Sequence, residues 1–301
     1  MKVGQTLIRL GSKAAPRLMK MPRGAQSVLP VSQDLDFTIV ITTCNRPHML
    51  ARALGSALRQ THENYDIVVA DDCSDPPVVI DSTGDKRVTV VRSAHRLGFA
   101  GAINLGANVA RGRWIAFLDD DDEFEPDLLR QTQARLKAMP DRQFSWCSTI
   151  FVHYDQDGRP VRETLRSFPE KFASEDELVS TTVSVGSGYG FVVNRQVFLG
   201  LDGFDGQSFW AIADTEFFYR LLAAGHRPAV VSQPLMRVHK HNEPRMTAPS
   251  SYRNRAQQCE LLRVKYADLL NDYPLLQQAI RNSIDQLTAL AQAFETQQPA
   301  G

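Results

Sequence analysis

Trp114 to Asp127 reads W-I-A-F-L-D-D-D-D-E-F-E-P-D. Its apolar run, Trp114 to Leu118, has the length of a buried strand and is far too short to span a membrane. The run stops at four consecutive aspartates. Like charges in a row repel each other, and a divalent cation among them relieves the repulsion; hard ions such as Mg²⁺ or Mn²⁺ take carboxylate oxygen. Pro126 suits a first helical turn, and Leu128, Leu129, Thr132 and Leu136 recur behind it at helical spacing. The carboxylates therefore fall at the carboxyl end of a strand, where open α/β sheets bind their ligands. The plainer alternative is a solvated acidic turn, and the buried strand ahead of it favours metal.

Upstream, strands and helices alternate. Phe37 to Thr42 predicts a strand that runs into Thr43, Cys44, Asn45, Arg46 and Pro47, followed by a helix with Leu50, Leu54, Ala57 and Leu58 on one face. Tyr65 to Ala70 predicts a second strand, ending in Asp71 and Asp72, and Arg87 to Arg92 a third. A small-residue helix over Ala100 to Ala110 contains Asn104 and Gly106, and its small side chains allow a close approach to the sheet. This alternation is the signature of an α/β domain with a mainly parallel sheet.

Downstream the pattern is less regular. Phe144 to Tyr154 predicts an extended strand, with a hairpin turn at Asp155-Gln156-Asp157-Gly158. Gly186, Ser187, Gly188, Tyr189 and Gly190 precede a strand at Phe191 to Asn194, and that much glycine suggests backbone held close to a ligand. Gly203-Phe204-Asp205 leads through Trp210 to a helix over Asp214 to Ala224. A short strand at Ala229 to Ser232 follows, with Arg237, His239, Lys240 and His241 beyond it. From Ser251 the chain reads as polar helices, with Leu276, Ile280, Ile284, Leu287, Leu290 and Phe294 at heptad-like spacing. That seam either folds back on the catalytic domain or makes a homo-oligomer.

With 301 residues and 43% apolar content, the chain can bury one large core or two modest ones. Lys plus Arg balance Asp plus Glu at 34 each, which gives no reason to expect nucleic acid as a partner. Cys44, Cys73, Cys147 and Cys259 are scattered, without a C-x-x-C pair, as suits a reducing cytoplasm. The first 33 residues hold Lys2, Arg9, Lys13, Arg17, Lys20 and Arg23 and no acid, with Val3, Leu7, Leu10, Ala14, Leu18 and Met21 at helical spacing interrupted by Pro16. This basic amphipathic extension, residues 1–35, reads either as a loose or self-docked segment or as a peripheral contact with the inner face of a membrane through residues 1–30.

Four motifs in order resemble the inverting glycosyltransferases of family 2, whose catalytic domain has the GT-A fold. They are T-I-V-I-T-T-C-N-R-P, D-I-V-V-A-D-D-C-S-D, G-R-W-I-A-F-L-D-D-D-D-E-F-E-P-D, and D-G-F-D leading to A-D-T-E-F-F-Y-R-L. The resemblance covers residues 36–245 and leaves 246–301 as a C-terminal helical region. It implies a Rossmann-like mixed central sheet flanked by helices. It also implies a metal-dependent hexosyltransferase, active in polysaccharide biosynthesis, that moves a sugar from a nucleotide donor, UDP-linked by preference, to a hydroxyl of a glycan or lipid-linked acceptor.

On this resemblance Thr42, Thr43, Asn45 and Arg46 hold the donor's nucleoside, with Asp71 or Asp72 accepting the base imide, and Asn104, Asp119, Asp120 and Arg237 complete the donor site. Asp119 and Asp121 are the Mn²⁺ or Mg²⁺ ligands, with Asp121 the principal one and His239 a further candidate, while Asp122 is a neighbour. Asp214 takes the place of the catalytic base, although the family's preceding glutamate is Ala213 here; a helix N-cap is the simpler role for such an aspartate. Gly188, Tyr189 and Trp210 face the acceptor. Two other classes compete. A nucleotidyltransferase would carry a Gly-rich phosphate loop near the first strand, and T-T-C-N-R-P has no glycine. A non-catalytic calcium or sugar-binding module of EF-hand type would space its acids alternately before a glycine, and D-D-D-D-E-F does not.

Overall fold

The runs F-T-I-V-I-T-T and Y-D-I-V-V-A-D are buried at every position, as strands covered by helices on both faces must be. The computed structural model describes residues 8–10, 35–80, 85–186, 188–241 and 248–297. In chain order the elements are β1 (Ile8–Leu10), β2 (Phe37–Thr43), α1 (Pro47–Leu58), β3 (Tyr65–Asp71), β4 (Val78–Ile80), β5 (Val88–Arg92), α2 (Gly98–Val109), β6 (Trp114–Asp119), β7 (Asp122–Phe124) and α3 (Leu128–Ala138). Then come β8 (Phe144–Tyr154), β9 (Pro160–Arg166), α4 (Glu175–Gly186), β10 (Val192–Asn194), α5 (Arg195–Gly200), α6 (Ala213–Ala223), β11 (Pro228–Lys240), α7 (Tyr252–Lys265), α8 (Ala267–Asp272) and α9 (Pro274–Gln297).

The central sheet runs β5-β3-β2-β6-β10-β8-β11-β7, with β9 paired to β8. Its first four strands are parallel. β10 lies antiparallel to both β6 and β8, and β11 is parallel to β8, so the sheet is mixed, as expected. Alternation along the strands sends Ile39, Ile41, Ile67, Val69, Ala116 and Leu118 into one core with residues of α1 and α3. Val40, Val68, Ile115 and Phe117 enter the other, with α2, α5, α6 and the C-terminal helices. The small-residue helix does approach closely: a Cβ on Gly106 would stand 2.4 Å from Val40 Cγ1.

The C-terminal helices fold back. Leu276 and Ile280 are buried, and Ile284 and Leu287 pack on the same core, so the first half of the apolar seam of α9 is covered by its own chain while Leu290 stays exposed. Buried Glu216 of α6 accepts from Lys265 Nζ at 2.8 Å and Tyr266 Oη at 2.7 Å, which ties this region to the helix that carries Asp214.

Three elements differ from expectation. Ile8–Leu10 is a strand antiparallel to β4, where a helix was expected; the remainder of the basic extension lies outside the described residues. β11 extends far past Ser232, so Arg237, His239 and Lys240 lie within a strand. Register shifts on either side of Pro234 carry the ladder past a residue that has no N–H to donate. Part of the acidic run is itself a strand, with Asp122 opposite Val238 and Glu123 opposite Arg237.

Candidate functional site

The order β5-β3-β2-β6 reverses direction between β2 and β6, and a ligand crevice opens beyond the carboxyl ends of strands at such a switch point. Thr42 is in register with Asp119 there, and Thr43 Oγ1 donates to Asp120 Oδ2 at 2.6 Å. Asp120 is fully buried and also meets the Arg46 guanidinium at 2.7 Å. Asp119, Asp121 and Asp122 each offer an oxygen within 4.8 Å of the others. Asp120 thus turns toward Thr43 and Arg46, while Asp122, expected only as a neighbour, joins the triad. Three carboxylates this close are a donor set that fits a hard divalent ion.

The electrostatics point the same way. Burial pushes the Asp119 carboxyl well above the usual carboxylate range, with repulsion from Asp121, Asp122 and Asp120 adding to it and Arg46 opposing. Burial also raises Asp120 to about 6 against the pull of Arg46 and Thr43. A cation among these groups lowers the cost of ionising them.

His239 is not placed to ligate. Its Nδ1 meets Tyr154 Oη at 2.6 Å and its Nε2 meets Glu123 Oε1 at 2.9 Å, so both ring nitrogens are taken. Its backbone N–H donates to Asp122 Oδ1 at 3.0 Å, which makes it a support for the triad. The imidazole at the acids is His241, two residues on, with Nε2 2.9 Å from Asp121 Oδ2. Arg237 lies between Glu125 and Glu163, at 2.5 and 2.6 Å.

The base-side candidates act on the protein's own loops. Asp71 accepts from Ser74 N, Val78 N and Arg92, and Asp72 from Leu97 N and Gly98 N at the start of α2, with Arg96 beside it. These bonds hold the loops that form the crevice rim. Asn45, at φ 57°, accepts from Asp75 N through Oδ1 and donates its own N–H to Ser74, joining the loops after β2 and β3. Asn104 makes a two-way bond with the backbone of Phe204, both at 2.9 Å, so it fixes the Gly203–Phe204 loop.

Asp214 is the second residue of α6. Ile212 occupies the cap position, so the capping role expected as the simpler one is not what Asp214 does. Its carboxyl lines a narrow cavity shared with Asp119, Phe117, Trp146, Gly188 and Phe191. Burial pushes it above the usual range, opposed by the Thr215 backbone and the charge of Arg255. Trp146 was not singled out from the sequence; its indole Nε1 is buried without a partner, a donor on the cavity wall with no acceptor of its own. Trp210 stands 42% exposed on the segment leading into α6, and Tyr189 packs edge-on against Phe151.

Gly188 makes room for Asp214. At φ 88° it holds a conformation that side chains resist, and a Cβ there would meet Asp214 Oδ2 at 2.7 Å. Gly188→Ala should displace that carboxylate and lower kcat about a hundredfold, the scale of a misplacement near 1 Å. An unaltered kcat in a steady-state assay would refute this.

The sequence model described as Glycosyl transferase family 2 matches residues 38–200. An uncharacterized glycosyltransferase of Haemophilus influenzae is 25% identical over 203 residues, 66% of this chain and 66% of that protein, just under two thirds of its length. The amylovoran biosynthesis glycosyltransferase AmsB of Erwinia amylovora is 28% identical over 221 residues, 69% and 70% of the two chains. Among solved structures, S. aureus TarS 1-349 in complex with UDP-GlcNAc superposes with a TM-score of 0.57 at 16% identity, covering 86% of this chain and 73% of that one, which is a likeness of fold.

Proposed function

The chain belongs to glycosyl transferase family 2, and from that membership we propose that it transfers a sugar, with inversion, from a nucleotide donor to a hydroxyl of a glycan or lipid-linked saccharide. The observation that carries this reading is one narrow cavity lined by both Asp119 and Asp214. In this reading Asp119 belongs to the leaving-group site and Asp214 is the proton acceptor. Asp214 accepts the proton of the acceptor hydroxyl as its oxygen bonds to the anomeric carbon and the bond from that carbon to the diphosphate oxygen breaks on the far face. Asp119, Asp121 and Asp122 hold Mn²⁺ or Mg²⁺, which when bound supplies charge neutralisation for the leaving diphosphate. Arg46, already paired with Asp120, adds a fixed cation beside them.

The UDP-GlcNAc held by TarS supports a UDP-sugar as donor. Among the described residues no helix is long and apolar enough to cross a membrane. The charge of the basic N-terminal sequence alone supports a contact of residues 1–30 with the inner face of a membrane as part of this reading. The test is donor hydrolysis with Mn²⁺ across UDP-, GDP- and dTDP-sugars. Slow release of nucleoside diphosphate is expected, fastest from a UDP-sugar. With a nucleoside triphosphate and a sugar 1-phosphate in place of the sugar nucleotide, release of pyrophosphate would point to a nucleotidyltransferase, and no release in either assay to a binding module.

A further inference from the structure

β11 is flanked by strands on both sides over only part of its length. It pairs with β8 from Pro228 onward, while β7 closes its other edge only from Met236 to Val238. Beside Pro228 to Val231 that other edge therefore carries no strand among the described residues. The gap lies between α3, the segment leading into α4, and α4 itself, and a cavity of about 430 Å³ opens there. Small-molecule sites commonly occupy about 300 to 1,000 Å³. The cavity shares no lining residue with the narrow one that holds Asp119 and Asp214.

Its lining combines apolar surface with cations. Met139 packs on one core of the sheet and Phe172 and Leu178 on the other, and with Val230 they supply the apolar part. The cations are Arg135, Arg142 and Lys171. Arg135 is half-buried and makes no hydrogen bond or ion pair with a described residue, and its Nε is shut off from solvent as well. Arg142 Nε lies 3.3 Å from Asp141 Oδ2 without hydrogen-bond geometry, and the Asp141 side chain is 70% exposed, where water screens its charge. Two carboxylates also line the cavity. Glu175 is already matched by Arg227 Nε at 2.6 Å and Tyr273 Oη at 2.8 Å, and Glu170 is exposed at the rim. Positive charge is therefore in excess, and a guanidinium taken partly out of water without a counter-ion is costly.

We infer that this cavity binds a phosphate monoester with an apolar body, its phosphate held by Arg135 and Arg142 and its body resting on Met139, Phe172, Leu178 and Val230. Guanidinium forks give phosphate oxygens paired, charge-assisted hydrogen bonds, and Lys171, exposed at the rim, adds a point charge that draws the anion in. Two guanidinium groups and an ammonium match the double charge of a phosphate monoester better than the single charge of a carboxylate. The inference stands apart from the transferase reading, because none of these residues is assigned a part in transfer.

The test is calorimetric titration of phenyl phosphate into the full chain without metal, so that no cation among the aspartates offers a second phosphate site. Wild type should bind it with an affinity that falls as salt rises, and at least tenfold more tightly than it binds inorganic phosphate or benzoate. Arg135→Gln/Arg142→Gln should weaken binding at least tenfold, while Lys137→Ala, which removes an exposed cation from the same helix as Arg135, should match wild type. In wild type the methyl resonance of Met139, identified by its absence from Met139→Leu, should shift as phenyl phosphate is added, a reading that does not depend on how the double variant folds. No binding by wild type, equal binding by a folded double variant, or an unmoved Met139 resonance would overturn the inference. So would inorganic phosphate or benzoate binding as tightly as phenyl phosphate, since the cavity would then not select both the double charge and the apolar body.

Discussion

Asp214→Asn should lower kcat for sugar transfer by about 10²- to 10⁴-fold, the range that general-base catalysis supplies, while the dissociation constant for the donor nucleotide changes little. Asparagine keeps the size of the side chain in the cavity with Asp119, Trp146 and Gly188, but it cannot take a proton. The donor's nucleotide end is assigned to the crevice between β2 and β6, so its binding should survive. Near-normal transfer by the variant would remove Asp214 from the mechanism. Loss of donor binding along with transfer would show that the carboxylate supports the donor site.

The same residue has a pH signature. Burial raises the Asp214 carboxyl above the ordinary carboxylate range, and the base works only when ionised. The ascending limb of kcat/KM against pH should therefore lie above that range and vanish in the variant. Stability follows with the opposite benefit. Between the unfolded and the raised folded value the folded state binds more protons, so stability falls as pH rises through that window, and the full penalty stands above it. At neutral pH, Asp214→Asn should melt above wild type, with the difference closing in acid. Inactivity joined to a higher Tm is the mark of a destabilised functional group.

The strands β2, β3, β5, β6 and β8 were legible in the sequence because each is rich in β-branched, aromatic or other apolar residues, and so was the α/β class. Position at strand ends also marked out Thr43, Arg46 and the aspartates of the D-D-D-D run, whereas Asp214 was assigned from the family resemblance. What stayed hidden depends on direction and partners. Nothing local distinguishes His239 from His241; only the pairing of β11 with β7 and β8 turns the first to Glu123 and Tyr154 and leaves the second at Asp121. Asp71, Asp72 and Asn104 look like ligand groups because they are polar residues near strand ends or in a small-residue helix, yet each is used by backbone amides that come close only after folding. Trp146 reads as one more apolar residue in a strand, since its role lies in an unpartnered N–H that a sequence cannot display. The acidic run disguised β7, because strand patterns are sought in apolar residues and Asp122 pairs through its backbone.

Chelation with EDTA should reduce transfer by about a thousandfold or more, since several kcal/mol of leaving-group stabilisation are assigned to the cation and each ~1.4 kcal/mol is a factor of ten. The proposed ligands are Asp119, Asp121 and Asp122, and thermal melting tests them without any catalytic assay. Mn²⁺ at about a hundred times its dissociation constant should stabilise the fold by roughly 2.7 kcal/mol. Asp121→Asn should cancel most of the gain. Without metal the ordering reverses: repulsion among the acids, already felt as the raised Asp119 carboxyl, is relieved in the variant, which should then melt above wild type. Acid should weaken Mn²⁺ binding as well, because Asp119 must lose its proton to ligate and its raised value brings that competition to higher pH than for an ordinary aspartate. A fold whose Tm ignores Mn²⁺, or transfer that survives EDTA, would reduce the acidic run to fixed charges neutralised by Arg46 and His241. The crossing of the two melting curves, wild type above Asp121→Asn with Mn²⁺ and below it without, separates a built cation site from an acidic cluster that merely tolerates its own charge.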